Sequence, residues 1–283
     1  MSVLRRYLQK SGGQDTFIES RTTSYLPPPE VAKWTISKKI LNAIEKAVVD
    51  FESRARDFFP SPRRFKSYGK DWIKSHRFPP DSYVQMAMQL AYYKCYKTHC
   101  PTYESAHTRY FFHGRTETIR TCTAESIAFV ETMSDSNASA VLKKEKFQEA
   151  IDKHMEIGMA ALNGDGIDRH LLGMQIVSVL SGSDKMPELY TDKCYSKSGG
   201  GGNFTLSTSN VSGYRWLWGG FAPMIKTGLG VCYDVESDFV GFMLTSYKSG
   251  GKIQSDKFGD ALFDSMHELK QMIEEVECTQ SKL

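Results

Sequence analysis

The sequence predicts a mixed α/β protein, a mixed β-sheet flanked by several helices. Three observations carry this. Up to about residue 180 apolar side chains recur at helical spacing. Beyond Ser181, short runs of aromatic and β-branched residues are separated by glycine-rich loops. The chain then closes on a long amphipathic stretch, Ser255 to Val276. No internal repeat is visible.

Residues 1–32 combine Ser, Thr, Gly and Gln with Pro27-Pro28-Pro29, a composition that disfavours regular structure and predicts a flexible tether. The main domain is expected over residues 33–280, opening near Trp34. Ile36, Ile40, Leu41, Ile44, Val48 and Phe51 predict a helix capped by Ser37 and closed by Pro60 and Pro62. A second helix follows Pro79-Pro80-Asp81; its broad apolar face, including Val84, Met88, Leu90 and Ala91, predicts burial. Stretches 124–133, 140–162 and 169–180 read as scaffold helices, the middle one with Lys and Glu facing outward. Strands are expected at 204–207, 211–218, 229–234 and 239–246. The last helix aligns Phe258, Leu262, Met266, Leu269 and Ile273 along one stripe.

With 283 residues, 40% of them hydrophobic and 24% charged, the chain can bury a substantial core. A net charge of +3 gives no global footprint for nucleic acid or an anionic membrane, so any anion site must be local. The six cysteines form neither a C-x-x-C pair nor zinc spacing with histidine, which predicts reduced thiols and no metal. No apolar run approaches the roughly 18 residues of a membrane span, and the N-terminal stretch lacks a secretory h-region. Ser281-Lys282-Leu283 matches the address read by the peroxisomal import receptor, so a peroxisomal location is expected.

Between Thr102 and Arg120, hydroxyls, rings and fixed cations are crowded together with neither helical periodicity nor strict alternation, which points to a polar ligand. Lys70 and Lys74 lie one helical turn apart or across a loop, and either geometry lets two ammonium groups reach one anion; a solvated basic surface is the simpler alternative. On spacing alone, Arg169 reads more simply as an ion pair with Asp165 or Asp168. Gly199 to Gly202 lack the Gly-Lys-Ser/Thr ending of a phosphate loop, which excludes a nucleoside-triphosphatase reading and leaves close backbone approach as their use.

Four motifs in fixed order carry a resemblance. They are Tyr103-Glu104-Ser105-Ala106, Gly114-Arg115-Thr116-Glu117-Thr118-Ile119-Arg120, Ile167 to Gly173, and Asn203-Phe204-Thr205-Leu206-Ser207-Thr208-Ser209. From about Trp34 to the end the chain resembles the C-terminal lobe of the carnitine/choline acyltransferase family, and Ser198 to Phe204 resembles its medium-chain, octanoyl-like branch. The resemblance implies a coenzyme A-dependent acyltransferase-like lobe in peroxisomal fatty-acid metabolism. Acyl-coenzyme A and carnitine would be substrates, with no tightly bound cofactor.

It also implies residue roles. Lys70, Lys74 and Asp81 would hold coenzyme A; Tyr103, Ser105, Thr116, Arg169 and Ser207 would hold carnitine; Ser209 would stabilise the thioester oxyanion. Gly219 would open the acyl pocket: acetyl-specific relatives carry methionine there, and glycine leaves room for methylenes worth about 0.8 kcal/mol each. The general-base histidine belongs to the other lobe of such enzymes and is expected from a separate N-terminal lobe. His113 and His170 match scaffold positions, and His76, His99, His107, His154 and His267 have no partner that suggests a nucleophile-base pair. Two departures, Met155 for a basic residue and Asn210 for glutamine of acetyl-transferring relatives, predict weakened coenzyme A binding. The second reading is an inactive, truncated lobe that binds coenzyme A or carnitine as a regulatory module; a lobe without its partner should expose an apolar interface.

Overall fold

The computed structural model describes residues 30–182, 185–213 and 219–280. The expected tether and targeting tripeptide therefore fall largely or wholly outside the described residues. The chain divides into two compact units, Met1–Val49 and Asp50–Leu283.

Helix α1 (Lys38–Asp57) begins in the first unit, where Ser37 Oγ accepts from Ile40 N at 3.3 Å, the expected cap. Ile40, Leu41, Ile44 and Val48 of the apolar stripe read from the sequence stand 45–49% exposed, so they form a helix face without entering a core.

In the second unit, β1 (Phe58–Phe65), β2 (Thr102–His107), β3 (Thr116–Arg120), β4 (Leu206–Asn210), β5 (Leu229–Val235) and β6 (Val240–Tyr247) form one six-stranded sheet. Its order is β1-β6-β5-β4-β2-β3. The β2–β4 and β4–β5 pairs are parallel and the others antiparallel, the mixed sheet that was expected. The helices are α2 (Lys70–Ser75), α3 (Pro80–Tyr96), α4 (Ala124–Ser134), α5 (Ala140–Leu162), α6 (Asp168–Leu180), α7 (Glu188–Thr191), α8 (Lys193–Lys197) and α9 (Ser255–Gln280).

Helices α3, α5 and α9 pack together on one side of the sheet. Every α3 residue from Ser82 to Tyr92 is buried, as its broad apolar face predicts. Phe258, Leu262, Met266, Leu269 and Ile273 of α9 are all 0% exposed. Burying five such side chains is worth roughly 1.5–3 kcal/mol each and anchors the helix layer.

Several expectations change. Pro60 and Pro62 do not merely close α1: they lie inside β1, which pairs with β6 in register from Phe58↔Tyr247 to Phe65↔Val240. An edge strand tolerates proline because a missing N–H facing away from the ladder forfeits no bond. The aperiodic segment after Thr102 is two strands, hidden from pattern reading because Thr102, Glu104 and Thr118 are polar yet buried. Val211 to Gly213 is not strand, and the rest of the strand expected at 211–218 lies outside the described residues. Among the described residues no helix is long and apolar enough to cross a membrane.

Candidate functional site

Strand alternation sorts the polar residues of β2 and β4 onto two faces. Tyr103 pairs with Ser207 and Glu104 with Thr208, so Tyr103, Ser105, Ser207 and Ser209 share one face while Glu104 and Thr208 point to the helices. On β3, Thr116 and Thr118 pair with His107 and Ser105 and join the first face. Tyr103, Ser105 and Ser209 are half-buried there and Ser207 is buried.

Arg169 enters from the first turn of α6. That turn is fixed by Glu117, whose carboxylate oxygens both lie 3.4 Å from Arg169 N, a negative charge at a helix N-terminus. A Cβ at Gly166 would meet Glu117 Cγ at 2.1 Å, so glycine is required for this approach. The Arg169 guanidinium donates to Tyr103 Oη at 3.2 Å, to Thr116 Oγ1 at 3.2 Å and to the Thr116 carbonyl at 3.1 Å. Asp168 pairs instead with Arg120, at 2.9 and 2.7 Å, so the simpler reading of Arg169 as the partner of Asp168 is overturned. Tyr103 and Arg169 line a cavity of about 250 Å³ together with Thr118, Leu172, Tyr195 and Phe204.

Four of the expected residues, Tyr103, Thr116, Arg169 and Ser207, thus gather around β2, and Ser105 and Ser209 lie on the same sheet face. Asp81, at the start of α3, accepts from Asn210 Nδ2 at 2.7 Å and Tyr233 Oη at 2.6 Å, which ties it to the residue after Ser209. Lys70 and Lys74 are one turn apart on α2, which settles helix over loop. The start of α2 is clamped to the β5–β6 turn, where Lys70 N donates to Glu236 O at 2.7 Å and Asp71 N to Ser237 O at 3.1 Å. No hydrogen bond among the described residues links either lysine to the Arg169 group.

Among the described residues nothing lies within 4 Å of a Cβ added at Gly219. The cavity it lines with Cys232, Phe242 and Met243 holds only about 10 Å³. The glycine run serves packing between neighbouring segments: a Cβ on Gly199, at φ 97°, would meet the Phe204 ring at 2.5 Å, and one on Gly200 the Tyr195 ring at 2.6 Å.

Behind the face lies a constellation that sequence reasoning missed. His154 is not without partners: Nδ1 is 2.9 Å from Ser82 Oγ and Nε2 is 2.7 Å from Glu104 Oε2. Burial pushes the Glu104 carboxyl up to about 7, against the opposing hydrogen bond from His154. Burial alone would lower the His154 imidazole, but its bond to Glu104 and the charges of Glu104 and Asp81 raise it. The only sequence signal was position: Glu104 sits between two residues of the other face.

The family model for Choline/Carnitine o-acyltransferase matches residues 3–264. The chain belongs to this family. Peroxisomal carnitine O-octanoyltransferase of Mus musculus is 37% identical over 88% of this chain and 40% of its own length. The Homo sapiens protein of the same name is 36% identical with the same coverage. Carnitine O-acetyltransferase of Homo sapiens is 32% identical over 88% of this chain and 39% of its own. The chain thus spans about 40% of the length of these relatives. The resemblance read from the four motifs, including the octanoyl-like branch, is borne out.

Proposed function

We propose that this chain is a carnitine O-acyltransferase-type lobe that moves a medium-chain acyl group between coenzyme A and carnitine. The observation that carries the proposal is the Arg169–Tyr103–Thr116 group at the rim of a cavity of about 250 Å³. A guanidinium and two hydroxyls on one side suit a carboxylate, and Ser105 and Ser207 extend the same polar face. The rings of Tyr195 and Phe204 offer an aromatic wall to a quaternary ammonium.

In this reading the carnitine hydroxyl attacks the thioester carbonyl while Ser209, near the end of β4, donates to the developing oxyanion. The sulfur leaves as the coenzyme A thiol, taking the proton that a general base removed from the hydroxyl. His154 is 4% exposed and cannot reach that proton; in this reading the base comes from the other lobe, as the family resemblance implies. Lys70 and Lys74 bind coenzyme A phosphates as a pair of point charges, with Asp81 on the path to Asn210. Exposed Met174, Ile176, Val177, Val179 and Leu180 of α6, 48–79% accessible, give a second lobe an apolar surface to cover. The relatives' names and the Ser281-Lys282-Leu283 sequence support a peroxisomal setting in fatty-acid metabolism, reached through the import receptor.

Calorimetric titration of the full chain with L-carnitine and, separately, with coenzyme A tests the binding half. Saturable binding of carnitine that Arg169→Ala removes is expected; heat changes identical in both proteins would end the proposal. Thiol release from octanoyl-coenzyme A with carnitine, against Ser209→Ala and a carnitine-free blank, tests the chemical half. Release that Ser209→Ala leaves intact would remove Ser209 from the mechanism.

A further inference from the structure

The layer behind the proposed carnitine face holds a continuous network of buried polar side chains. Ser82, Glu104 and His154 are 3, 3 and 4% exposed. From Glu104 the chain of bonds runs through His154 to Ser82 on one side. On the other side Tyr233 Oη lies 3.5 Å from Glu104 Oε1 and donates to Asp81 Oδ1 at 2.6 Å. Gln85 Nε2 donates at 2.9 Å to both Tyr233 Oη and Thr208 Oγ1, and Thr208 Oγ1 donates at 2.9 Å to the backbone carbonyl of Tyr103. The groups that face Glu104 are therefore Asp81 and Gln85 from α3, His154 from α5, Thr208 from β4 and Tyr233 from β5. Its β3 neighbour in register, Ile119, is apolar.

Ser82, His154 and Glu104 imitate a serine-histidine-acid triad, but a nucleophile 3% exposed in the core meets no substrate. Donor atoms of Asp81, Glu104 and His154 also lie within 4.8 Å of one another. Both imidazole nitrogens and Asp81 Oδ1 already make short hydrogen bonds within the protein, so the arrangement suits a proton better than a cation. What the network does touch is the opposite face. Glu104 separates Tyr103 from Ser105 and Thr208 separates Ser207 from Ser209, so any movement of either buried side chain is transmitted through one peptide unit to two proposed substrate groups.

We propose that Glu104 and His154 are positioning residues: together they hold an exchangeable proton behind the sheet, and its uptake or release shifts Tyr103, Ser105, Ser207 and Ser209. The Glu104 carboxyl, pushed up to about 7, places that exchange near neutrality, and the His154 imidazole is shifted in the same direction. The inference rests on the preceding functional reading only for what the face binds.

The test is amide NMR of the isotopically labelled full chain between about pH 5.5 and about pH 8.5. In the wild type the amides of Tyr103, Ser105, Ser207 and Ser209 should titrate with one midpoint, shared with the His154 ring resonances. Glu104→Gln keeps the shape and a hydrogen-bond acceptor but removes the acid, and should abolish that common midpoint while distant amides superimpose. His154→Gln, which retains an amide donor for Glu104, should displace it and serves if Glu104→Gln fails to fold. Face amides that do not respond to pH in the wild type, or a midpoint unchanged in both variants, would overturn the proposal. Carnitine affinity, followed in the same samples, should vary with pH in the wild type and be flat in Glu104→Gln. Linked amide shifts without any carnitine binding would support the positioning role and count against the carnitine site alone.

Discussion

The guanidinium of Arg169 meets the hydroxyl of Tyr103 at 3.2 Å, joining the first turn of α6 to strand β2. The preceding residue, Asp168, is engaged by Arg120, so two adjacent residues of one helix face different partners. Arg120 and Asp168 form a supporting pair, and Arg169 lines a cavity with Asp168 and Tyr103.

Arg169→Ala should therefore weaken carnitine binding without unfolding the protein. Hydrogen bonds to a charged group contribute about 1.5–3 kcal/mol, or roughly a 10- to 100-fold loss in affinity. Arg169 is exposed, so the melting temperature should move little. Arg169→Lys should not restore binding, because a single ammonium cannot reproduce the fork that reaches both Tyr103 and Thr116. Calorimetric titration beside a thermal melt checks this, and a wild-type dissociation constant in Arg169→Ala would refute it.

The buried Glu104 makes a prediction about stability and pH. Its folded carboxyl is raised from 4.5 to about 7, so between those values the native state binds more protons than the unfolded chain. Its contribution is fully present below the unfolded pKa and is lost as pH rises through about 7. The raised His154 imidazole acts in the same direction. The melting temperature should fall as pH rises from about 5 to about 8, and Glu104→Gln should flatten that slope. A slope identical in the variant would show that other groups carry it.

The sequence made the helix layer legible because its signal is periodic apolar burial. The stripe of α9 and the broad face of α3 needed no further information. The sheet was legible only where apolar residues build it, as in Leu229–Val235, whose seven residues are all buried. Strands β2 and β3 were hidden because buried Thr102, Glu104 and Thr118 stand where a pattern reader expects valine or isoleucine. Those same polar residues made the motifs recognisable, so the site was readable through resemblance while its secondary structure was not. The His154–Glu104 bond joins residues 50 positions apart on α5 and β2, and no local pattern announces such a pair.

Gly69 should be intolerant of any side chain. A Cβ there would meet Glu236 O at 2.3 Å, Phe239 N at 2.5 Å and Asp238 N at 2.8 Å, all backbone atoms that cannot swing aside. Gly69→Ala should cost about 1–3 kcal/mol as an overpacked site. Relief by moving α2 would carry Lys70 and Lys74 away from their place, so coenzyme A binding should weaken more than carnitine binding. Lys70→Ala with Lys74→Ala provides the comparison, since it should weaken coenzyme A binding with no loss of melting temperature. Equal effects of Gly69→Ala on both ligands would point to general unfolding.

Gly219→Met asks whether the space at this position receives the acyl chain. Among the described residues nothing lies within 4 Å of an added Cβ, so the variant should fold with an unchanged melting temperature. The new side chain would extend over the strip shared with Cys232 and Met243, where the existing cavity of about 10 Å³ offers it no room to sink. An octanoyl group exceeds an acetyl group by about six methylenes, an upper limit of about 5 kcal/mol if all are buried. Losing even a third of that burial lowers affinity for octanoyl-coenzyme A by roughly tenfold or more. Acetyl-coenzyme A, which does not reach so far, should bind as before. Competition titrations of the two thioesters on wild type and variant decide the matter: parallel losses would place the acyl chain elsewhere on the sheet, and a loss confined to octanoyl-coenzyme A would place it over Gly219.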